Sequence, residues 1–321
     1  MSICQTCPLQ EGGPHLYHIH QEDGWVRIRE HQVFPGIWLA FKDARTFAFS
    51  HHAAYPGGLL EITHCREGRL EYEDHCRSFF LGEGDLSIHE SSCQGTVLRC
   101  PVKCFHGLSL IIHPEQAPSC TSCFLGGVDV QLPELKRRFC GGEGHYVDRV
   151  PAELAKVFTQ LYQAPYEMRE GYYKVKVLEL LLLLSQLEPG AGPSTERSAT
   201  PAQAALAREV IAYVDAHRGS RITVEQLAQA LHATPEQLRY SVGRVYGKPL
   251  YQCVRAYKMR VAGRLLRETG RTVMDVAAEL GYENGSKFSS AFRDVMGVRQ
   301  GSIGGSPRKG TFPVWSGKQE K

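Results

Sequence analysis

Three sets of side chains in this 321-residue sequence have the types and spacing to do chemistry. The first set forms two short polar faces. Over residues 235–246, Leu238, Val242 and Val245 fall on one side of a helical wheel, and Glu236, Arg239 and Tyr240 fall on the other. Over residues 285–296, Phe288, Ala291, Phe292 and Val295 fall inward, leaving Ser286, Lys287, Ser289 and Ser290 outward. Such outward groups suit hydrogen bonds to base edges and contacts to phosphates. The second set is thiol-rich. Cys4-x-x-Cys7 and Cys120-x-x-Cys123 have pairwise metal-ligand spacing, and Cys100, Cys104 and His106 form another cluster. The third set is His15, His18 and His20. Buried free thiols and surface histidines are the plain alternative for both of these.

Charge and composition separate the sets. The net charge of +3 conceals a division: residues 1–200 carry 18 Lys and Arg against 24 Asp and Glu. Residues 201–303 carry 15 against 9, and residues 304–321 carry 4 against 1. An acidic front and a basic back imply two jobs, with the back facing a polyanion. Of the 14 histidines 12 precede residue 150, and of the 11 cysteines all but Cys253 do. An odd cysteine number and an N-terminus without a basic-then-apolar start favour a reducing, cytoplasmic setting. The longest apolar run, Leu180 to Leu184, is far below the ~20 residues of a membrane helix, so no membrane partner is expected.

The elements that must position these residues are legible. Ile37–Phe41, Thr46–Ser50, Leu59–Cys65, Arg69–Glu73, Arg77–Leu81, Asp85–Glu90 and His106–Ile112 read as short strands parted by turn signals such as Glu67-Gly68 and Gly82-Glu83-Gly84. They suggest an antiparallel barrel or sandwich. Two helices follow. Ala152–Ala164 is amphipathic. Gly171–Leu187, with Val175, Leu178, Leu181, Leu182 and Leu184, is apolar nearly all round, so a second chain is expected on one side of it. Residues 189–201, rich in Pro, Gly, Ser and Thr, read as a linker.

Beyond the linker every segment is helical. After Gln203–His217, Thr223-Val-Glu-Gln226 and Thr234-Pro-Glu-Gln237 are capping boxes that open helices to Leu231 and over Pro235–Tyr246. Pro249–Thr269 is one long helix, with Leu250, Val254, Tyr257, Val261 and Leu265 on one face and Lys258, Arg260, Arg264 and Arg267 elsewhere. The pattern then repeats: Thr272-Val-Met-Asp275 opens a helix to Leu280, 281–284 turn, and Gly285–Met296 follows. Two copies of helix-turn-helix anatomy joined by a long helix, with a positive excess, point to DNA.

Residues 203–298 resemble the DNA-binding domain of the AraC/XylS family. The resemblance rests on Leu227-Ala228, the Pro235–Tyr246 helix, Lys258-Met259-Arg260 and above all the run from Gly281-Tyr282-Glu283-Asn284 to Ala291-Phe292-Arg293. It implies two reading helices in successive major-groove segments of double-stranded DNA, ~34 Å apart. It implies base contacts at Glu236, Arg239, Tyr240, Ser286, Lys287, Ser289 and Ser290, and phosphate contacts at Arg244 and Arg293. It also implies a cupin-like N-terminal barrel that takes a small-molecule effector, a homodimer and, more often than not, activation.

The chain departs from that family after Val298, where a Pro-containing closing helix is replaced by the Gly-rich run Arg299–Ser306. A one-base shift of reading frame near Val298 is consistent with a Pro-Gly-Glu-Tyr-Arg-Arg-Lys ending, which the coding DNA decides. The expected architecture is α+β: a cupin-like sensor over 1–148, dimerising helices over 149–188, a linker over 189–202, a DNA-binding domain over 203–298 and an atypical tail over 299–321. Catalysis is not expected. His18-Ile19-His20 has the pair spacing of a metal-dependent cupin but precedes the strands, and His64-Cys65-Arg66 lacks a second His. No cofactor or metal is expected. The alternatives are a metal- or redox-sensing regulator, and a barrel enzyme or methyl-accepting repair protein carrying a DNA-binding domain.

Overall fold

The computed structural model describes residues 14–21, 23–50, 58–74, 77–91, 97–113, 116–118, 121, 129–141, 145–165, 168–188 and 198–296. The Cys4/Cys7 and Cys120/Cys123 pairs, and the segment after Val298 with its frame-shift reading, lie outside these residues. The chain packs as two units, Met1–Ala207 with Tyr240–Gly247, and Arg208–Arg239 with Lys248–Lys321.

The first unit is built on antiparallel strands. They are β1 (His15–Gln21), β2 (Gly24–Phe34), β3 (Ile37–Arg45), β4 (Ala48–Ser50), β5 (Leu59–Asp74), β6 (Arg77–Gly82), β7 (Asp85–Ser91), β8 (Val97–Arg99) and β9 (Phe105–Ile112). Then come α1 (Leu132–Cys140), β10 (His145–Arg149), α2 (Ala152–Tyr162), α3 (Arg169–Gln186) and β11 (Ser198–Ala199). The main path runs β1-β2-β3-β9-β5-β6-β11. Among the described residues it has free ends, so this path does not close into the cupin-like barrel that the resemblance implies. β5 joins what sequence reads as two strands. Its first half, Leu59–His64, pairs with β7, and its second half, Arg69–Asp74, pairs with β6. Between them the register against β9 shifts at Cys65/Glu67, and Gly68 sits at φ +86°. The Glu67-Gly68 signal is therefore a bend inside one long strand rather than a turn between two. At Gly68 a Cβ would lie 2.1 Å from the Cys104 carbonyl oxygen, so the close approach demands glycine.

Strands β1 and β2 are extended although Arg and His interrupt their apolar residues. Period-two burial of Val26, Ile28 and Glu30 on β2 is what forms them. Alternation on β3 divides the core in two. Ile37, Leu39 and Phe41 join Leu60, Ile62, Leu108 and Leu110 beneath the helices, where Phe158, Leu161, Val177, Leu180 and Leu184 cover them. Ala40 and Ala44 face the other way, with Val26, Ile28, Cys65 and Phe105. Ser198 and Ala199, at the end of the segment read as a linker, pair with Phe79 and Ser78 of β6.

The helices after residue 200 are α4 (Pro201–Ala216), α5 (Val224–Ala230), α6 (Pro235–Tyr246), α7 (Leu250–Glu268), α8 (Val273–Glu279) and α9 (Gly285–Met296). The limits of α6 and α9 coincide with those read from sequence. The face of α7 does not. Its most buried apolar residues are Met259, Val261, Ala262 and Leu266; of the expected face Val261 is buried, whereas Leu250, Val254, Tyr257 and Leu265 are half-buried. A helix covered on more than one side has no single apolar stripe for periodicity to find. Among the described residues no helix is long and apolar enough to cross a membrane.

Candidate nucleic-acid interface

Each copy begins on a threonine cap. Thr223 Oγ1 accepts from the Gln226 amide at 3.3 Å, and the Gln226 side chain accepts from the Thr223 amide at 3.0 Å. Thr234 and Gln237 repeat this at 3.2 and 2.8 Å, and Thr272 and Asp275 at 3.2 and 3.3 Å. Two otherwise unpaired donors are satisfied each time. The helix before each turn ends in a left-handed residue. In the second copy this is Gly281 at φ +76°, with the Gly281 amide donating to the Ala278 carbonyl at 3.0 Å and the Tyr282 amide to Ala277 at 2.9 Å. In the first copy it is His232 at φ +51°, with the Ala233 amide donating to the Ala228 carbonyl at 3.0 Å. Both are the αL termination that satisfies the last carbonyls of a helix.

Asn284 starts α9: its Oδ1 accepts from the amides of Ser286 at 2.8 Å and Lys287 at 3.2 Å. Sequence leaves Asn284 in the turn, although Asn four positions ahead of the apolar Phe288 is a readable N-cap signal. Phe288, Ala291 and Phe292 then bury against Met259, Ala262 and Leu266 of α7 and Val276, Ala277 and Leu280 of α8. Val295 is only half-buried.

That packing fixes which side of α9 faces water. On α9, Ser286, Lys287, Ser290 and Arg293 are exposed and Ser289 is half-buried. On α6, Leu238, Val242 and Val245 are fully buried, and Glu236, Arg239 and Tyr240 are exposed. Arg239 Nη1 lies 3.6 Å from Glu236 Oε1, one turn away on the helix. Arg244 is half-buried; its Nη2 donates to Tyr240 Oη at 2.7 Å, and its guanidinium lies 4.9 Å from the centre of that ring. Behind α9, Arg255 Nη2 holds Asp294 Oδ2 at 2.5 Å.

Lys258 is the residue sequence reading placed least well. Sequence places it off the apolar face of α7. It is buried, and its Nζ donates to the carbonyls of Ser220 at 2.9 Å and Leu280 at 3.1 Å. Burial lowers its pKa. Its basic neighbours gave no signal that this one cation turns inward.

Among the described residues no group of three or more His, Cys, Asp or Glu is arranged to hold a metal ion. His15, His18 and His20 are exposed along β1. Cys100 and Cys104 are buried and His106 is half-buried.

A family profile described as a helix-turn-helix domain matches residues 227–301. The HTH-type transcriptional activator AarP of Providencia stuartii is 22% identical over 105 residues, covering 33% of this chain and 78% of AarP. The uncharacterized HTH-type transcriptional regulator YtdP of Bacillus subtilis (strain 168) is 29% identical over 83 residues, which is 26% of this chain and 11% of YtdP. Among solved structures, a probable AraC family transcriptional regulator from Rhodopseudomonas palustris CGA009 is 22% identical, covering 31% of this chain and 94% of that one at a TM-score of 0.28. The C-terminal part of the chain is an AraC-type helix-turn-helix domain.

Proposed function

We propose that the protein is a sequence-specific transcription regulator that reads double-stranded DNA with α6 and α9. The observation that carries this reading is the two-sidedness of each helix. A fully buried apolar face fixes the orientation, and a short, exposed, hydrogen-bonding face is left over. Glu236, Arg239 and Tyr240 on α6 and Ser286, Lys287, Ser289 and Ser290 on α9 take base edges. Arg244 and Arg293 take phosphates. The sign of regulation is activation, in line with the name of AarP.

The N-terminal sheet is the sensor. Its face away from the helices carries buried polar groups that an inert scaffold does not need. Lys42 Nζ and Glu61 Oε1 pair at 2.6 Å, the Thr63 and Ser109 hydroxyls share a hydrogen bond at 2.8 Å, and the buried Ser87 Oγ finds no partner among the described residues. A small-molecule effector taken there would offer a partner to Ser87 and compete for the groups of the two pairs.

Helix α3 makes the homodimer. Tyr173, Val177, Leu180, Leu181 and Leu184 bury within the chain. Met168, Val175 and Leu182 are 61%, 63% and 44% exposed. With Gly171 and Leu178 between them they recur at alternating steps of three and four, the seam of a two-helix contact. Changing Leu182 to Glu should yield a monomer by sedimentation; an unchanged dimer would exclude this seam. The function as a whole is tested by mapping the DNA bound by the full chain across its own genome. A shared sequence motif at promoters supports it, and uniform recovery of all DNA overturns it.

A further inference from the structure

The bend of β5 gathers chemistry that DNA reading does not use. Cys65, Cys100 and Cys104 are buried and carry free thiols. Cys65 Sγ lies 3.6 Å from the Glu67 carbonyl and 3.7 Å from that of Gly68. Cys104 Sγ lies 3.5 Å from Glu67 Oε1, and Arg45 Nη1 donates to it at 2.8 Å. Arg45 also meets Asp43 at 3.6 Å and Glu67 at 3.7 Å. We propose that Cys104 is an oxidation-sensitive thiol that reacts with hydroperoxides and is resolved by Cys100 into a Cys100–Cys104 disulfide.

The surroundings give each group a role. A guanidinium stays charged at any working pH, so Arg45 stabilises a thiolate on Cys104. The Glu67 carboxylate faces the thiol and accepts its proton as that thiolate forms. Glu67 and Asp43 oppose the negative sulfur, and Arg45 sits between all three. Cys104 itself is buried, but the Arg45 and Glu67 side chains beside it are 41% and 59% exposed, so a small peroxide reaches the sulfur past them. Cys65 and Cys100 lack this arrangement: burial raises the pKa of both thiols, and the negative charge of Cys104 raises them further. One of the three is therefore the nucleophile and the others are held as thiols.

We assign Cys100 as the resolving thiol because the chain turns back between it and Cys104. The Lys103 amide donates to the Cys100 carbonyl at 2.8 Å and closes a four-residue turn, with Lys103 at φ +54°. Such a turn brings its end Cα atoms within about 7 Å, and Cys104 is the next residue. A disulfide needs Cα atoms within roughly 4.4–6.8 Å.

The chemistry balances. The Cys104 thiolate attacks one oxygen of ROOH and the O–O bond breaks. The leaving alkoxide takes the proton held on Glu67 and departs as ROH, leaving Cys104 as a sulfenic acid. The Cys100 sulfur then attacks the Cys104 sulfur, the S–O bond breaks, and the hydroxyl departs with the Cys100 proton as water. Two thiols lose two electrons and one hydroperoxide is reduced.

The test uses the reduced full chain, hydrogen peroxide, rapid alkylation and peptide mass spectrometry. The expected product is a Cys100–Cys104 disulfide, with Cys65, Cys140 and Cys253 still alkylated. Cys100→Ser should instead accumulate a dimedone adduct on Cys104, and Cys104→Ser should give neither product. Arg45→Gln should slow oxidation by about threefold, since a one-unit rise in thiol pKa cuts the thiolate roughly tenfold while that thiolate becomes about threefold more nucleophilic. Arg45→Lys, which keeps a charge, should slow it less and guards against a folding defect in the Gln variant. Oxidation of Cys65 or Cys253 at the rate of Cys104, or full-rate oxidation in a folded Arg45→Gln protein, would overturn the proposal.

Discussion

Lys258 Nζ donates to the Leu280 carbonyl at 3.1 Å, so the long helix α7 holds the C-terminal end of α8 by a buried cation. The same ammonium reaches the Ser220 carbonyl at 2.9 Å and ties in the segment after α4. Helix carbonyls at a C-terminus are left without intrahelical donors, and a positive charge there opposes the negative end of the helix dipole. Lys258→Met keeps much of the side-chain length and removes both hydrogen bonds. It should destabilise the C-terminal unit by about 2 kcal/mol or more, given ~1.5–3 kcal/mol for a hydrogen bond to a charged group. Denaturant unfolding followed by a probe in that unit measures this; an unchanged midpoint would show that the ammonium contributes nothing.

The two turn glycine equivalents make opposite predictions. A Cβ on Gly281 would lie 2.6 Å from the Gly219 carbonyl oxygen in a backbone already at φ +76°. Gly281→Ala should therefore cost roughly 1–3 kcal/mol. His232 occupies the matching position at φ +51° with a side chain that disfavours it. His232→Gly should be neutral or stabilise by up to about 1 kcal/mol, the αL relief being partly offset by the entropy of an unfolded glycine. Thermal melts of both variants check the contrast, and the same sign for the two would contradict it.

How far the sequence foretold these features follows from how local each one is. Caps at Thr223, Thr234 and Thr272 and the limits of α6 and α9 depend on residues within one turn of each other, so they were legible. The role of Lys258 depends on carbonyls 38 and 22 positions away, and no local pattern encodes it. The continuity of β5 escapes sequence for a related reason. Glu67-Gly68 is a turn signal by composition, but pairing with β9 on one side and with β6 and β7 on the other keeps the chain extended through it. The rim around Arg45, Glu67 and Cys104 joins segments 22 to 59 residues apart and emerged only from the fold.

Acid should loosen the N-terminal unit in two stages. Burial pushes His64, stacked on Phe158 at 4.5 Å between ring centres, down to about 4, with Arg149 and Arg66 adding to the effect against Asp85. Burial likewise pushes His31 down to about 4, helped by Arg29 and Arg169. A depressed histidine gives stability that is present above the unfolded value of 6.5 and is lost as pH falls towards the folded value of about 4. Glu61 acts lower down. Burial would raise its carboxyl, but the Lys42 ammonium overrides this and holds it far below the usual range, so its contribution fades only beneath the ordinary glutamate value of 4.5. Between pH 6.5 and 4.5 the loss belongs to the histidines, and should amount to about 1 kcal/mol or more for His64. Urea midpoints across that range should fall for the natural chain and fall less for His64→Phe. Parallel curves would contradict the assignment.

The central claim is that the exposed faces of α6 and α9 read DNA. The most direct measurement is titration of a mapped binding site by fluorescence anisotropy, at several salt concentrations, against single-base variants of that site. Arg239→Ala should lose about 1–3 kcal/mol of discrimination at one position while retaining weaker, less selective binding. Arg293→Ala should weaken all sites alike and reduce the salt slope by about one unit. Unchanged affinity, selectivity and salt slope in both variants would contradict the account.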